Sequence, residues 1–314
     1  PPGPPPPEAV QALREGERYL KARRFDAAVE AFQRALALYP SAPEAYRGLG
    51  AAHLALRQFD EAIDVLQQGI QVDPSRVGLH LALGQAYTRK GFAIDPRCGS
   101  PHAGIGASPG TKDDKALRQQ WIKKSDDLYA QAMAAFQSAL GLDPHNVAAH
   151  DGLQYACYRQ GQYQEGVAWA QRAVELSPND AGLYIGLGNN YRHVDPGLAL
   201  QAYDRALQLN PKNTHVYKLI WETYAASRDW EGAIARLKPV VEANPKNLVA
   251  TMYLGVSYAR QGDLDSGLRY LEQAVAIDPK CGEAYGFAAA IYKKKGDLAK
   301  AEDYARRAEW YKPK

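Results

Sequence analysis

The sequence predicts an all-α protein built as a linear array of eight helical hairpins. Two observations carry this prediction: a proline recurs about every 34 residues, and two runs of helical apolar spacing, joined by a short turn, fill each period. The third period is longer than the others, which predicts a loop-plus-helix insertion. The array is expected to occupy residues 9–314, behind a proline-rich linker over residues 1–8.

The periodic prolines close a similar phrase in each period, such as ALYP, GLDP or WYKP. Their spacing is 33 or 34 residues, with one interval of 70 residues before Pro144. Because a proline pushes the preceding residue out of the helical region, each one is expected to separate two hairpins. The prolines are Pro40, Pro74, Pro144, Pro178, Pro211, Pro245, Pro279 and Pro313. The predicted repeats span about 9–42, 43–76, 77–146, 147–180, 181–213, 214–247, 248–281 and 282–314.

Small and large residues recur in a fixed order within the periods. In the first helix a glycine precedes a tyrosine by three residues, as Gly84 precedes Tyr87. In the second helix a small residue, a ring and another small residue follow one another, as in Ala28, Phe32 and Ala35. Small residues let helix axes approach and the ring fills the remaining space, so these positions are predicted to form the core.

These residues and the 34-residue period resemble the tetratricopeptide repeat family over residues 9–314. The resemblance implies a right-handed superhelical solenoid whose first helices line a concave, protein-binding groove. The departures are Trp221 for a small residue, Cys157 and His53 for the tyrosine, and Gly166 and Gly267 for an alanine. The RNA-reading pentatricopeptide array has a similar period but is disfavoured, because the terminal proline and the Ala/Phe/Ala set belong to the protein-binding family.

The insertion adds 36 residues, 92–127, to the third repeat. Glycine, proline and serine over 92–110 predict a mobile loop after Gly91 ends the first helix. From Thr111 the chain lacks proline and glycine as far as Leu140, and Asp114 completes a weak capping pattern. The second helix of this repeat is therefore predicted to start early and to project from the solenoid.

An apolar stripe runs along this predicted long helix. It comprises Leu117, Trp121, Leu128, Tyr129, Ala132 and Phe136. An apolar stripe that extends beyond the neighbouring helices exposes apolar surface unless another segment or a partner covers it. Either the inserted loop folds back over it, or Leu117 and Trp121 form a docking arm for a partner or for a second copy of the chain.

By the resemblance, the groove face carries the residues that follow the glycine and the tyrosine of each first helix, those one turn before, and arginines near the far end of these helices. The predicted groove residues are Arg47, Gln85, Arg89, Tyr155, Tyr158, Arg159, Asn189, Arg192, Lys218, Glu222, Tyr253, Arg260 and Phe287. Arginine and asparagine can bind backbone carbonyls and carboxylates, while tyrosines bury side chains at low entropic cost. The predicted ligand is an acidic-aromatic peptide or a helix.

Some family members hold the free carboxy-terminus of chaperones with a lysine and an asparagine one turn apart. Asn189 is present here, but Ile185 stands where the lysine would be, so that activity is not predicted. The Lys293, Lys294 and Lys295 run is interpreted as a solvated helix end.

Composition excludes several other classes. The 38 basic and 35 acidic residues are interspersed and leave a net charge of +3, so nucleic acid is not an expected partner. No stretch reaches the roughly 18 apolar residues of a membrane span. Cys98, Cys157 and Cys281 lie far apart and are interpreted as free thiols, and Cys98 with His102 does not make a metal site. The GIGASPGTK glycines lack P-loop spacing, so no cofactor is predicted.

The opening PPGPPPP cannot be a natural translational start, so an upstream segment is expected to have preceded it. The chain is expected to be soluble, in the cytoplasm or outside it once such a segment is removed. No nucleophile motif or carboxylate pair indicates an enzyme. The predicted function is a non-catalytic interaction scaffold, monomeric or weakly oligomeric; the alternative is a structural protein that self-associates through its end helices or the insertion helix.

Overall fold

The computed structural model describes residues 3–98 and 112–312. Within these ranges the chain forms sixteen α-helices and one 3₁₀ turn at Pro96–Cys98, and it contains no strand. The all-helical prediction is confirmed. The chain divides at Pro178 into two compact units, each of which is a stack of hairpins.

The described residues of the first unit, Pro1–Pro178, form eight helices. They are α1 (Pro7–Lys21), α2 (Phe25–Leu38), α3 (Pro43–Ala55), α4 (Phe59–Val72), α5 (Val77–Ile94), α6 (Lys112–Leu142), α7 (Val147–Gln160) and α8 (Tyr163–Leu176). Each odd-numbered helix packs on the even-numbered helix after it, and α2, α4 and α6 also pack on the first helix of the next hairpin.

The second unit, Asn179–Lys314, repeats the same arrangement. Its helices are α9 (Ala181–Tyr191), α10 (Pro196–Leu209), α11 (His215–Ser227), α12 (Trp230–Ala243), α13 (Leu248–Gln261), α14 (Leu264–Ile277), α15 (Gly282–Lys295) and α16 (Leu298–Trp310). The first helix of each hairpin contacts the first helix of the next one at α11, α13 and α15. These helices therefore present one common face.

Glycines allow the rings of the second helices to enter the stack. Phe32 is fully buried between Gly16 and Gly48, where an added Cβ would lie 2.7 Å and 2.5 Å from its Cε1 atom. Phe136 is enclosed by Gly84 and Gly152 in the same way. The small-and-ring pattern of the sequence thus describes close helix contacts, because any side chain at these glycines would overlap the ring.

Six of the hairpin turns place one residue in the left-handed region. Gly161, Gly262 and Gly296 supply it in three hairpins, with φ between 76° and 111°. In three others an arginine takes this conformation, at φ of 57° to 62°. These residues are Arg23, Arg57 and Arg228. A residue with a Cβ is strained there, whereas glycine is not.

Two boundaries differ from the prediction. Helix α1 begins at Pro7, inside the predicted linker, and the Gly3 carbonyl accepts a hydrogen bond from the Tyr39 hydroxyl at 3.0 Å. Helix α5 continues past Gly91 to Ile94, because nothing stops it before Pro96. The rest of the predicted loop, with Thr111, lies outside the described residues; the repeat boundaries themselves stay a prediction.

Candidate functional site

Three aromatic side chains form a row across consecutive first helices of the second unit. Trp221 on α11 stacks on Tyr253 of α13, with ring centroids 4.7 Å apart. Phe287 of α15 meets Tyr253 edge-on at 6.4 Å. Tyr253 and Phe287 occupy the same position of neighbouring periods, and Trp221 is the residue that stands where the pattern expects a small one. These three residues are called the aromatic row below.

Tyr253 was predicted to line an open groove, and the structure corrects this. Its side chain is only 1% exposed, because Trp221 covers one face of the ring. Its hydroxyl donates a 2.9 Å hydrogen bond to Glu283, and burial together with this carboxylate raises the pKa of Tyr253. The Trp221 indole donates to Ser257 at 3.1 Å. The two stacked rings are therefore fixed, and Trp221 and Phe287 keep part of their surface in solvent.

Two predicted groove residues of the second unit pair with each other. Arg192, at the end of α9, forms an ion pair with Glu222 of α11. The exposed fractions of the two side chains are 14% and 32%, so the pair is largely covered. Asn189 accepts a 2.9 Å hydrogen bond from Tyr203. Lys218, one turn before Glu222, is half-buried on the same helix. A ligand that reaches α9 and α11 would therefore contact polar side chains that are already held in place by their own hydrogen bonds and ion pair.

A cavity of about 280 Å³ lies beside the aromatic row. Its walls are Val256, Ala259, Leu264, Leu271, Phe287, Ala290 and Ile291, together with Arg260 and Lys294. Arg260 and Lys294 occupy the same position of consecutive periods, and both are exposed. Among the described residues, neither forms an ion pair. The cavity therefore combines an apolar wall with two available cations.

The groove pattern of the sequence predicts Arg260 and Phe287 but not Lys294, which lies in the lysine run interpreted as a solvated helix end. The period of the repeat could have found it, because Lys294 follows Arg260 by one period of 34 residues. Ile291 and Leu264 could not be recognised as cavity residues from the sequence, because apolar residues in helices usually belong to the core.

The predicted groove residues of the first unit fall into two groups. Arg47 on α3, with Gln85 and Arg89 on α5, is exposed. Tyr155 and Tyr158 on α7 are half-buried, and burial raises the pKa of Tyr155. The Tyr158 ring lies 5.9 Å from that of Tyr163.

Arg159 does not lie in an open groove, contrary to the prediction. Its side chain is 14% exposed, and its Nη2 atom donates to Oδ2 of Asp95 at 2.7 Å. Asp95 is fully buried and also accepts from Arg97, at 2.8 Å and 3.0 Å. Burial alone would raise the pKa of Asp95, but the hydrogen bonds from Arg97 and Arg159 outweigh it and hold this pKa below its usual range. The insertion provides Asp95 and Arg97. The Arg159 guanidinium is therefore bound to Asp95 within the first unit and does not face an open groove.

The predicted docking arm lies on the first part of α6. Leu117 is 39% exposed, Trp121 is half-buried, and the Lys124 ammonium lies 4.8 Å from the centre of the Trp121 ring. Leu128 and Tyr129, further along the same helix, are buried. The predicted stripe is therefore covered at one end and open at the other.

Reactive groups are sparse in the described part of the chain. All three cysteines are free, and burial raises the pKa of Cys157 to about 12 and also that of Cys98 and Cys281. These thiols are therefore protonated at neutral pH. Over 3–98 and 112–312 no cluster of three metal-ligating side chains occurs, and no helix has the length and apolarity needed to cross a membrane. His102 and the glycine-rich GIGASPGTK segment fall mostly outside these ranges.

The tetratricopeptide repeat model matches residues 13–76, 52–91, 125–181, 222–280 and 257–311. These segments cover more than half of the chain, and the chain belongs to the tetratricopeptide repeat family. Members of this family bind proteins or peptides and generally act as non-catalytic scaffolds.

Among individual proteins, the chain is 32% identical over 100 residues to the Protein CTR9 homolog of Arabidopsis thaliana. This match covers 30% of the chain but only 9% of that relative, so it spans a small part of the relative's length.

Several solved structures are similar at low identity. The tetratricopeptide protein TTC0263 of Thermus thermophilus has a TM-score of 0.48 at 20% identity, covering 69% of this chain and 99% of its own. PilF of Pseudomonas aeruginosa has a TM-score of 0.48 at 18% identity, with coverages of 79% and 97%. Yeast Tom70 has a TM-score of 0.44 at 16% identity, with coverages of 96% and 76%. These likenesses carry no information about a partner.

Proposed function

We propose that the chain is a non-catalytic scaffold that binds an extended protein segment on the first-helix face of its second unit. The binding surface would centre on the cavity between α13 and α15 and extend to the aromatic row. Arg47, Gln85, Arg89, Tyr155 and Tyr158 would form a separate contact surface on the first unit.

The cavity and its two cations, which form no ion pair with any residue that the structure describes, are the observation that carries this proposal. Its volume of about 280 Å³ is enough for one large apolar side chain, and Phe287 and Ile291 provide an apolar wall. Arg260 and Lys294 would attract a carboxylate next to that side chain, and arginine can bind it in two-point geometry. We expect the ligand to be an acidic segment with one aromatic or aliphatic anchor.

The aromatic row is already rigid, and this rigidity supports a role in ligand binding. The Trp221 and Tyr253 rings are already fixed by their stacking and by their hydrogen bonds to Ser257 and Glu283. A ligand that contacts the exposed part of Trp221 or Phe287 would therefore order few additional side chains, which lowers the entropic cost of association.

The proposal is tested by selecting peptides from a displayed random library with the full chain and measuring their affinities by fluorescence anisotropy. We expect the selected peptides to be rich in Asp and Glu beside one large apolar residue. The Arg260→Glu/Lys294→Glu variant should lose about tenfold or more in affinity. Lys238→Glu/Lys246→Glu makes the same charge change at exposed positions away from the cavity and should bind normally. Equal binding by both variants would reject the site.

Self-association is a second candidate, favoured by α16. Leu298 is 61% exposed and Trp310 is 82% exposed on this helix, and both values exceed those of the other exposed large apolar side chains in the described part of the chain. If α16 joins two copies, light scattering should show a mass above 34.5 kDa that falls on dilution and in a Trp310→Ala variant. A mass that stays at the monomer value up to about 100 μM would exclude this candidate.

A further inference from the structure

Phe287 is a wall of two cavities in the second unit. One is the cavity beside the aromatic row, here called the first cavity. The other has a volume of about 640 Å³ and lies between the first half of α15 and the C-terminal end of α16. Its walls include Gly282 and Gly286 of α15, together with Ala308 and Tyr311. It is called the α15–α16 cavity below.

The α15–α16 cavity lies at a position where the chain lacks a side chain that the other periods have. Gly286 follows the proline of its period by seven residues, and a Cβ added to it would meet only the Cβ of Ala308, at 3.9 Å. Met252, one period earlier, is buried. The corresponding residues of the six preceding periods all have longer side chains: Arg47, Leu81, Asp151, Ile185, Lys218 and Met252. The last period therefore leaves open a space that a side chain could fill.

The two cavities lie a short distance apart along α15. Residues 282–287 of this helix border the α15–α16 cavity, and residues 287–294 border the first cavity. The middles of these two segments are about six residues apart, which is roughly 9 Å along a helix axis. An extended segment of polyproline type rises about 3.1 Å per residue and returns to the same side every third residue. Side chains three residues apart in such a segment therefore match the spacing of the cavities.

The charges near the two cavities differ between the ends and the middle of α15. Lys280 borders the α15–α16 cavity just before the helix begins, whereas Arg260 and Lys294 border the first cavity near its end. All three cations are exposed, and none forms an ion pair with a residue that the structure describes. Glu283 lies between them and accepts a hydrogen bond from Tyr253. The surface therefore favours ligand carboxylates at its two ends and disfavours them in the middle.

We propose that the α15–α16 cavity binds a second large apolar side chain of the segment whose first anchor occupies the first cavity. This inference rests on the binding function proposed above and specifies its ligand. The ligand carries two aromatic or large aliphatic residues three positions apart, uncharged residues between them and carboxylates outside them. Its backbone crosses α15 over Gly286 and Ala290, which are small and exposed.

The spacing is tested with the full chain and three fluorescein-labelled peptides. EEFPPFEE carries two phenylalanines three residues apart, EEFPPAEE lacks the second one, and EEFPFPEE places them two residues apart. In fluorescence anisotropy, EEFPPFEE should bind about tenfold or more tightly than either of the others, because only this peptide buries both rings. This comparison requires no variant of the chain.

The place of the second ring is tested by filling the α15–α16 cavity. Gly286→Met introduces the side chain that the preceding period has at Met252. It should weaken the binding of EEFPPFEE about tenfold or more, to the level of EEFPPAEE, and should leave EEFPPAEE unchanged. Gly141→Met makes the same substitution at an exposed helical glycine of the first unit, where no atom lies within 4 Å of an added Cβ. This control should bind both peptides as the wild type does.

The outcomes separate this inference from the binding function on which it rests. Arg260→Glu/Lys294→Glu should weaken both EEFPPFEE and EEFPPAEE. If it weakens neither, or if no peptide binds, the binding function fails and this inference fails with it. If it weakens both, but the peptide spacing or Gly286→Met has no effect, only this inference is overturned.

Occupation of the cavity by a second copy of the chain would give a different result. Light scattering would then show a mass that rises with concentration in the wild type and stays at the monomer value in Gly286→Met. That result would also overturn the inference.

Discussion

Arg159 of α7 places its Nη2 atom 2.7 Å from Oδ2 of Asp95, a residue 64 positions earlier in the chain. Asp95 has no exposed surface, and Arg97 and Tyr129 approach the same carboxylate. The contact joins the C-terminal end of α5, helix α6 and the first helix of the next hairpin. This carboxylate is therefore the point at which the insertion is attached to the first unit.

Asp95→Ala is expected to lower the free energy of unfolding by about 3 kcal/mol, because two arginines lose a buried partner. Urea unfolding followed by circular dichroism measures this change. Asp60→Ala removes an exposed carboxylate that pairs with Lys90 at the surface, and should change stability by less than about 1 kcal/mol. A similar loss in both variants would mean that Asp95 is not an organising contact.

Stability should also depend on pH through Asp95. Its pKa is lowered in the folded protein, so its contribution is fully present above the unfolded pKa of about 3.9 and is lost as the pH falls through the lower folded value. In the Asp95→Asn variant the side chain at position 95 does not titrate in this pH range. Below about pH 4 the free energy of unfolding should therefore fall more steeply for the wild type than for Asp95→Asn. Parallel pH profiles would contradict this assignment.

The sequence predicted the hairpins because the determinants of each hairpin are local. Proline stops, glycines and rings act within one period or between adjacent ones, so Ala28, Phe32 and Ala35 could be assigned to the core from spacing alone. The family match to most of the chain agrees with that pattern.

The residues of the candidate site were harder to predict from the sequence. The incorrect predictions concern side chains whose contacts come from outside the repeat pattern. Tyr253 holds a groove position but is covered by Trp221, which departs from the small-residue pattern. Arg159 holds another, but the insertion brings Asp95 to it from a distant part of the sequence. Lys294 could have been recognised, since it repeats the position of Arg260 one period later.

The left-handed turn residues give a third prediction. Arg228 is exposed at φ 58° and is the analogue of Gly262 at φ 111°. Arg228→Gly relieves the Cβ strain and should raise the free energy of unfolding by about 0.5–1 kcal/mol, while Gly262→Ala should lower it by at least as much. Urea midpoints of the two variants should thus move in opposite directions. A shift in the same direction would show that the turn backbone is not strained by side chains.

The close packing of Phe32 leads to the last prediction. A Cβ at position 48 would lie 2.5 Å from Cε1 of this fully buried ring, so Gly48→Ala should destabilise the first unit by about 1–3 kcal/mol. Gly141, by contrast, has no atom within 4 Å of such a Cβ, so Gly141→Ala should be neutral or should stabilise the helix by up to about 1 kcal/mol.

Overlap with the ring can be separated from other effects of the new methyl group. In a Phe32→Leu background the smaller side chain leaves room, and Gly48→Ala should then cost at least about 1 kcal/mol less than it does in the wild type. Urea unfolding of the four proteins of this cycle gives the coupling energy directly. A coupling near zero would mean that the backbone yields around residue 48, and that glycine is not required there to admit the ring.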